Sequence, residues 1–345
     1  MPSAGLPPQQ PAPEFPSTRS EALEQLRQRL PSKGKRAVLR GEDSWLFLHD
    51  EARLLLCERF WGAGAVASDL IESPAARDPL PEVLRFRRQL EERGVGLLFV
   101  PIPAKLAAYP ERLLAAFDPR RSERLDAAVP DFLRELEAHG VHTLDLLPEL
   151  LAAKARGEPA LYLATDSHWS PRGIRVAARA LAEHLRRNSA RWMLALPPPR
   201  PFEVSTERVT IRGDIAAALR NSPPGPETVE IVSMVGEPEA GELAGARRAS
   251  PILLLGDSYL NVYSEYRSDF RSHLEAELGL PLDRVAVNAG GPTGSRQALA
   301  RAPERLEGKR LVVWLTASRL FVSGPGWNPV ELPPAASASP VGAPR

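Results

Sequence analysis

Five short apolar runs punctuate the chain: GVGLLFV (94–100), VHTLDL (141–146), PILLLG (251–256), RVAVN (284–288) and RLVVWL (310–315). Runs of this length, bounded by Gly, Pro or charge, predict strands buried on both faces. Amphipathic segments lie between them. Residues 122–139 repeat apolar side chains at helical intervals and stop at Gly140, which suits the left-handed cap position. Ser170-Pro171 reads as an N-cap followed by Pro at the first helical position. The apolar side of that helix is Ile174, Ala178, Leu181 and Leu185, and Arg186 and Arg187 suit the negative end of its dipole. Nearer the start, Thr18 and Glu21 have capping-box spacing, with Leu23, Leu26 and Leu30 following before Pro31. A further helix is predicted over 262–278. This alternation predicts an α/β fold: a three-layer sandwich with a mostly parallel central sheet.

Three stretches depart from the pattern. Residues 1–36 read as a Pro-rich leader with a short helix, and 331–345 as a Pro/Ala/Ser tail that is flexible. Residues 188–249, rich in Pro, Gly and charge, read as an irregular insertion within a catalytic domain spanning 37–330. The 36 prolines, roughly a tenth of the 345 residues, concentrate there and at the ends. Charge changes the picture little. With 44 Lys+Arg against 43 Asp+Glu the formal net charge is +1, which favours neither nucleic acid nor an anionic membrane as partner. The basic stretch SKGKR (32–36) reads as a solvated connector. The single cysteine, Cys57, excludes an internal disulfide framework and a CxxC metal site. No apolar stretch reaches the roughly 18–20 residues of a membrane span, and the first twenty residues have no secretory-signal pattern.

The chemistry concentrates in two places. In LLLGDSYL (253–260) an apolar strand runs into Gly256-Asp257-Ser258, the position where α/β sheets gather ligands at strand carboxyl ends. Ser258 is placed as a nucleophile, with Gly256 permitting close approach and Asp257 tying down the turn; a helix N-cap serine is the competing structural reading. A serine hydroxyl needs a base and the base an orienting group. His168 lies in ATDSHWSPRG (164–173), two residues after Asp166, and this pairing can orient an imidazole; plain turn chemistry is its alternative. The other histidines read as structural: His139 and His184 near helix ends, His142 at a strand start, His273 on a polar helix face, and His49 after an apolar run. No third ligand stands at metal spacing in the sequence nearby, which speaks against a metal reading of the pair.

Together the two motifs resemble the SGNH/GDSL hydrolase superfamily, and within it the bacterial alginate O-acetyltransferases of the AlgX/AlgJ type, where a DxHW segment precedes the GDS serine. GEDSWLFL (41–48), VPIPAKLAAYPERL (100–113) and RGDIAAAL (212–219) are similar to further motifs of that family, in its order. The resemblance implies a triad of Ser258, His168 and Asp166. It implies oxyanion donors in the Ser258 N–H and the NAGGPTG turn (288–294), with Asn288, Gly290 and Gly291 as candidates and an ordinary loop as the alternative. Where many relatives have an asparagine after a strand, this chain has VVWLTASR (312–319), leaving Thr316, Ser318 or Arg319 to supply a side-chain donor. The implied activity is acetyl transfer to, or hydrolysis from, hydroxyls of a bacterial exopolysaccharide in the periplasm, with a membrane-bound O-acyltransferase as acetyl donor and no metal or organic cofactor. A non-catalytic carbohydrate-binding or assembly subunit with the same fold is the alternative.

Overall fold

A computed structural model describes residues 18–30, 38–71, 78–114, 117, 123–198, 203–235, 240–324 and 326–334. Most of the leader, and the tail from 335 onward, lie outside the described residues. All five predicted apolar runs form strands of one sheet. In chain order with the remaining strands they are β1 (Val38–Arg40), β2 (Leu46–Leu48), β3 (Gly96–Ile102), β4 (His142–Thr143), β5 (Glu203–Ile211), β6 (Glu227–Val235), β7 (Ile252–Gly256), β8 (Asp283–Ala286) and β9 (Leu311–Ala317). The central sheet has the order β4-β3-β9-β7-β8, and every pairing in it is parallel. Its middle strand β9 is buried along its whole length, and β3 and β7 nearly so, as expected where helices cover both faces.

The chain leaves β3 outward to β4, leaves β7 outward to β8, and returns through β9 between them. The carboxyl ends of β3, β9 and β7 therefore lie side by side at a switch of strand order, the position where open α/β sheets bind ligands. Register supports this: Val100 pairs with Leu315, and Leu255 with Trp314. Gly256 ends β7 where a methyl group would lie 2.8 Å from the Leu315 carbonyl oxygen, so a larger residue would push β7 from β9 just before the serine.

Local signals place the helices that matter. The helix Pro171–Arg187 starts where predicted, with the Ser170 hydroxyl accepting the Gly173 N–H at 3.1 Å. The helix Ala128–Ala138 ends at Gly140, whose φ of +77° and N–H to the Glu137 carbonyl close the turn. The Thr18–Glu21 capping box is formed. The helix expected over 262–278 is shorter, Phe270–Leu278. Tyr263 and Arg267 take left-handed conformations and break the run into short turns, and Asp269 then caps the helix by accepting the Ser272 N–H. His273, expected on a polar face, is 4% exposed, with its Nε2 3.1 Å from the Ser268 hydroxyl. Within 188–249 the chain forms a regular antiparallel pair, β5 with β6, in register over nine residues each.

Candidate active site

Ser258 opens a short 3-10 turn (Ser258–Leu260) directly after β7. The turn is tied at its entrance: Asp257 Oδ1 accepts the Tyr259 N–H at 3.0 Å, and Oδ2 accepts the Ala317 N–H at the end of β9 at 3.2 Å. His168 sits on the segment between the Tyr162–Trp169 bridge residues. Its Nε2 lies 2.8 Å from Ser258 Oγ, and its Nδ1 lies 2.8 Å from Asp166 Oδ1. The three residues named from sequence thus form one hydrogen-bonded line across a separation of 90 positions. With the Nδ1 proton directed at Asp166, Nε2 is left to accept the serine hydroxyl proton. His168 and Asp166 side chains are each 13% exposed, enough for a small reactant to reach them. Burial pushes the Asp166 carboxyl up, but the hydrogen bonds and charge of His168 outweigh it and hold the group down at about 2. The carboxylate therefore remains ionised opposite the imidazole.

Five other segments hold the 163–169 strip by pairing its polar groups. Lys105, just after β3, is 0% exposed and donates to the carbonyls of Leu163 (3.2 Å), Ala164 (3.2 Å) and Asp166 (2.6 Å). Leu46 N–H on β2 donates to the Ala164 carbonyl, and Phe47 beside it lies 5.1 Å from the Lys105 ammonium. Glu227 at the start of β6 accepts the N–H groups of Ala164 and Thr165 and the Thr165 hydroxyl. Asp214 N–H donates to Asp166 Oδ2 at 2.8 Å, while its carboxylate accepts from the Ser167 N–H and hydroxyl, both at 2.6 Å. From below, the Tyr259 hydroxyl donates to the Ser167 carbonyl at 2.6 Å, and its ring lies 4.7 Å from the His168 ring. The stretch read as an irregular insertion contributes two of these supports, Asp214 and Glu227.

The candidate oxyanion donors divide. Ser258 N–H has no acceptor among the described residues. Gly290 N–H is engaged in a turn, donating to the Val287 carbonyl at 3.2 Å, whereas Gly291 opens the helix Gly291–Ala300. Asn288 accepts through Oδ1 from Asn261 Nδ2 at 2.7 Å, three residues beyond the serine. Arg319 is committed elsewhere: its guanidinium donates to the Tyr259 hydroxyl at 2.7 Å and stacks over that ring. Thr316 and Ser318 are buried at the end of β9, and their hydroxyls have no hydrogen-bond partner among the described residues. Asp166, His168 and Asp214 bring ligand-capable atoms within 4.8 Å of one another. All four carboxylate oxygens accept an N–H or O–H, and Asp214 is a third ligand-capable group that the sequence spacing did not show. Two clefts of about 390 and 480 Å³ lie along the helix Pro171–Arg187 and are not lined by Ser258 or His168.

Sequence reasoning passed over Lys105, Glu51 and Asp214 as functional residues. The first and last stood inside motifs already quoted; Glu51 carried no local signal. Glu51 is 0% exposed, accepts the Leu106 N–H at 3.1 Å through Oε2, and has no partner at Oε1. Burial raises its carboxyl to about 7, against the opposing pull of Lys105 and Arg319. The folded chain therefore keeps a proton that an unfolded glutamate, at 4.5, releases. Stability is expected to fall as pH rises from about 4.5 through about 7. Glu51→Gln is expected to flatten that slope in urea midpoints measured across this range; an unchanged slope would assign it to other groups.

Residues 38–317 match the sequence family described as "SGNH hydrolase-like domain, acetyltransferase AlgX". The protein named "Probable alginate O-acetylase AlgJ" of Pseudomonas aeruginosa is 28% identical over 298 residues, covering 82% of this chain and 70% of that protein. Its namesake in Pseudomonas putida is 28% identical over 240 residues, covering 67% of this chain but 57% of its own length. In three dimensions, the O-acetyltransferase domain of Pseudomonas putida AlgJ superposes with a TM-score of 0.60 at 24% identity, covering 83% of this chain and 92% of that domain. Pseudomonas aeruginosa AlgX superposes with a TM-score of 0.58 at 20% identity, covering 84% of this chain and 69% of AlgX. These two structures establish a shared fold.

Proposed function

The chain belongs to the SGNH hydrolase-like domain family of the acetyltransferase AlgX, and on that premise we propose that it transfers acetyl groups to hydroxyls of a bacterial exopolysaccharide through an acetyl-Ser258 intermediate. The observation that carries the reading is the Ser258–His168–Asp166 line, 2.8 Å at each contact. Ser258 Oγ attacks the acetyl carbonyl as its proton passes to His168 Nε2, and Asp166 stabilises the imidazolium. The resulting oxyanion meets the Ser258 N–H and, as second donor, the Gly291 N–H at the helix start. Collapse expels the donor's oxygen, which takes the proton from His168. A sugar hydroxyl then attacks acetyl-Ser258, delivers its proton to His168, and leaves as the acetyl ester while Ser258 recovers the proton. General-base assistance of this kind is typically worth about 10²–10⁴-fold, and each oxyanion donor on the order of 10²–10³-fold.

The named O-acetylase relatives favour transfer over hydrolysis, with alginate or another exopolysaccharide as acceptor. We read the setting as periplasmic and the acetyl donor as a membrane-bound O-acyltransferase, as the resemblance to the AlgX/AlgJ type implies. Among the described residues no helix is long and apolar enough to cross a membrane. Incubation with an activated acetate ester, followed by intact-mass measurement and peptide mapping, is expected to find one acetyl group on Ser258 that an added oligosaccharide discharges. A serine-directed fluorophosphonate is expected to label Ser258, and His168→Ala to abolish labelling. Labelling that persists unchanged in Ser258→Ala would overturn the assignment.

A further inference from the structure

Asp214 lies 46 residues beyond His168 in sequence, yet its Oδ2 is 3.7 Å from His168 Nδ1, on the same ring edge that Asp166 occupies at 2.8 Å. Its backbone and side chain clasp the catalytic strip from both ends: N–H to Asp166 Oδ2, carboxylate to the Ser167 N–H and hydroxyl. The approach is closer than a side chain at the preceding position would allow. A methyl group on Gly213 would lie 2.3 Å from the Thr165 carbonyl carbon and oxygen, and the Ala216 N–H donates to that same carbonyl. Asp214 has no lysine or arginine partner among the described residues; its one ion-pair contact is His168. A carboxylate held this way is not explained as surface solvation: although its side chain is 47% exposed, it is directed at three groups of one loop, the Ser167 N–H, the Ser167 hydroxyl and His168 Nδ1.

We propose that Asp214 is a positioning residue: a second carboxylate that fixes Ser167 and shares the charge of the imidazolium formed when Ser258 attacks. The inference rests on the acyl-transfer reading above. The other charged or titratable groups facing this cluster are Lys105 behind the Asp166 carbonyl, Glu227 on Thr165, Tyr259 under the imidazole, Tyr263 on the Trp169 carbonyl, and Arg319 behind Tyr259. None of them touches His168 Nδ1. A negative charge 3.7 Å from Nδ1 attracts the positive charge that appears on the ring when Ser258 gives up its proton. Removing it makes the imidazolium less stable. Two effects then follow together: the plateau rate of acylation falls, and the acidic limb of the pH profile moves to lower pH.

The test is the pH dependence of Ser258 acylation, followed by fluorophosphonate labelling and activated-ester hydrolysis in the full chain. Asp214→Asn keeps an acceptor for Ser167 but removes the charge; it is expected to lower the plateau about tenfold and displace the acidic limb by about one pH unit. Asp214→Glu, which keeps the charge, is expected to leave the limb in place. Ser167→Ala removes the hydroxyl bond alone and is expected to lower the plateau with the limb unmoved. Should Asp214→Asn fail to fold, Asp214→Ser, which also accepts a hydrogen bond without charge, is read the same way. A limb unmoved in the charge-free variants overturns the proposal and leaves Asp214 a structural clasp. Absence of labelling at Ser258 in the parent protein would instead overturn the acyl-transfer reading.

Discussion

Replacing Ser258 with alanine is expected to reduce acetyl transfer on the order of 10⁶-fold, with no comparable loss of stability. In the proposed mechanism the hydroxyl is the group that becomes acylated, and among the described residues no other oxygen is hydrogen-bonded to His168 Nε2. His168→Ala is expected to cost nearly as much, because a serine hydroxyl without a base is a weak nucleophile at neutral pH. The double variant is expected to be no slower than either single one, since the two groups act as a unit. Ser258 is partly exposed and its side chain supports no other element, so thermal unfolding should barely move. The measurement is steady-state hydrolysis of an activated acetate ester beside acetyl transfer to an oligosaccharide. Transfer in Ser258→Ala within tenfold of the parent would remove the serine from the reaction.

The second large effect is expected at a residue that touches neither reactant nor nucleophile. Lys105→Met keeps the length of the side chain but removes the donor to three carbonyls of the catalytic strip. Ala164 retains the Leu46 N–H, whereas the Leu163 and Asp166 carbonyls lose the donor that the lysine provides. A buried polar group left unpaired costs about 1–3 kcal/mol. Against this, methionine avoids the penalty of burying an ammonium, a penalty visible in the lysine's own titration, pushed down to about 8 by its surroundings. The net loss is expected to be about 2–4 kcal/mol in denaturant unfolding. Acylation of Ser258 should fall with it, because the strip that carries Asp166 and His168 would shift to seek new donors, and small misplacements in such a site cost about 10²-fold. A variant as stable and as fast as the parent would show that the strip is held without Lys105.

These supports explain why motifs that looked separate along the chain belong to one site. The GEDSWLFL segment lends Leu46 and Phe47, VPIPAKLAAYPERL lends Lys105, and RGDIAAAL lends Asp214; all converge on the backbone between Leu163 and His168. Each supplies a donor, an acceptor or shielding for a polar loop that would otherwise be buried with open valences.

Much of the fold was legible locally. Apolar runs bounded by Gly and Pro identify all five strands of the central sheet, and Ser170-Pro171 and Gly140 mark helix ends, because these signals depend on backbone geometry within a few residues. The nucleophile turn and the Asp-x-His pair could be named for the same reason: each is a short motif whose chemistry is written in neighbouring side chains. Asp214, Lys105 and Glu51 were not legible in this way. A Gly-Asp in a charge-rich stretch, a lysine after a strand and a glutamate in a helix are each what a solvated surface also offers. The turns that replace the first part of the 262–278 helix, and the burial of His273, likewise depend on what the segment meets when it packs. Sequence determined which residues carry reactive groups and where the strands lie, since hydrogen-bond spacing and hydrophobic period act at short range. Tertiary structure alone decided which distant carboxylates, ammonium and hydroxyls share one loop, since burial and electrostatic pairing act through space between segments 46 to 90 positions apart.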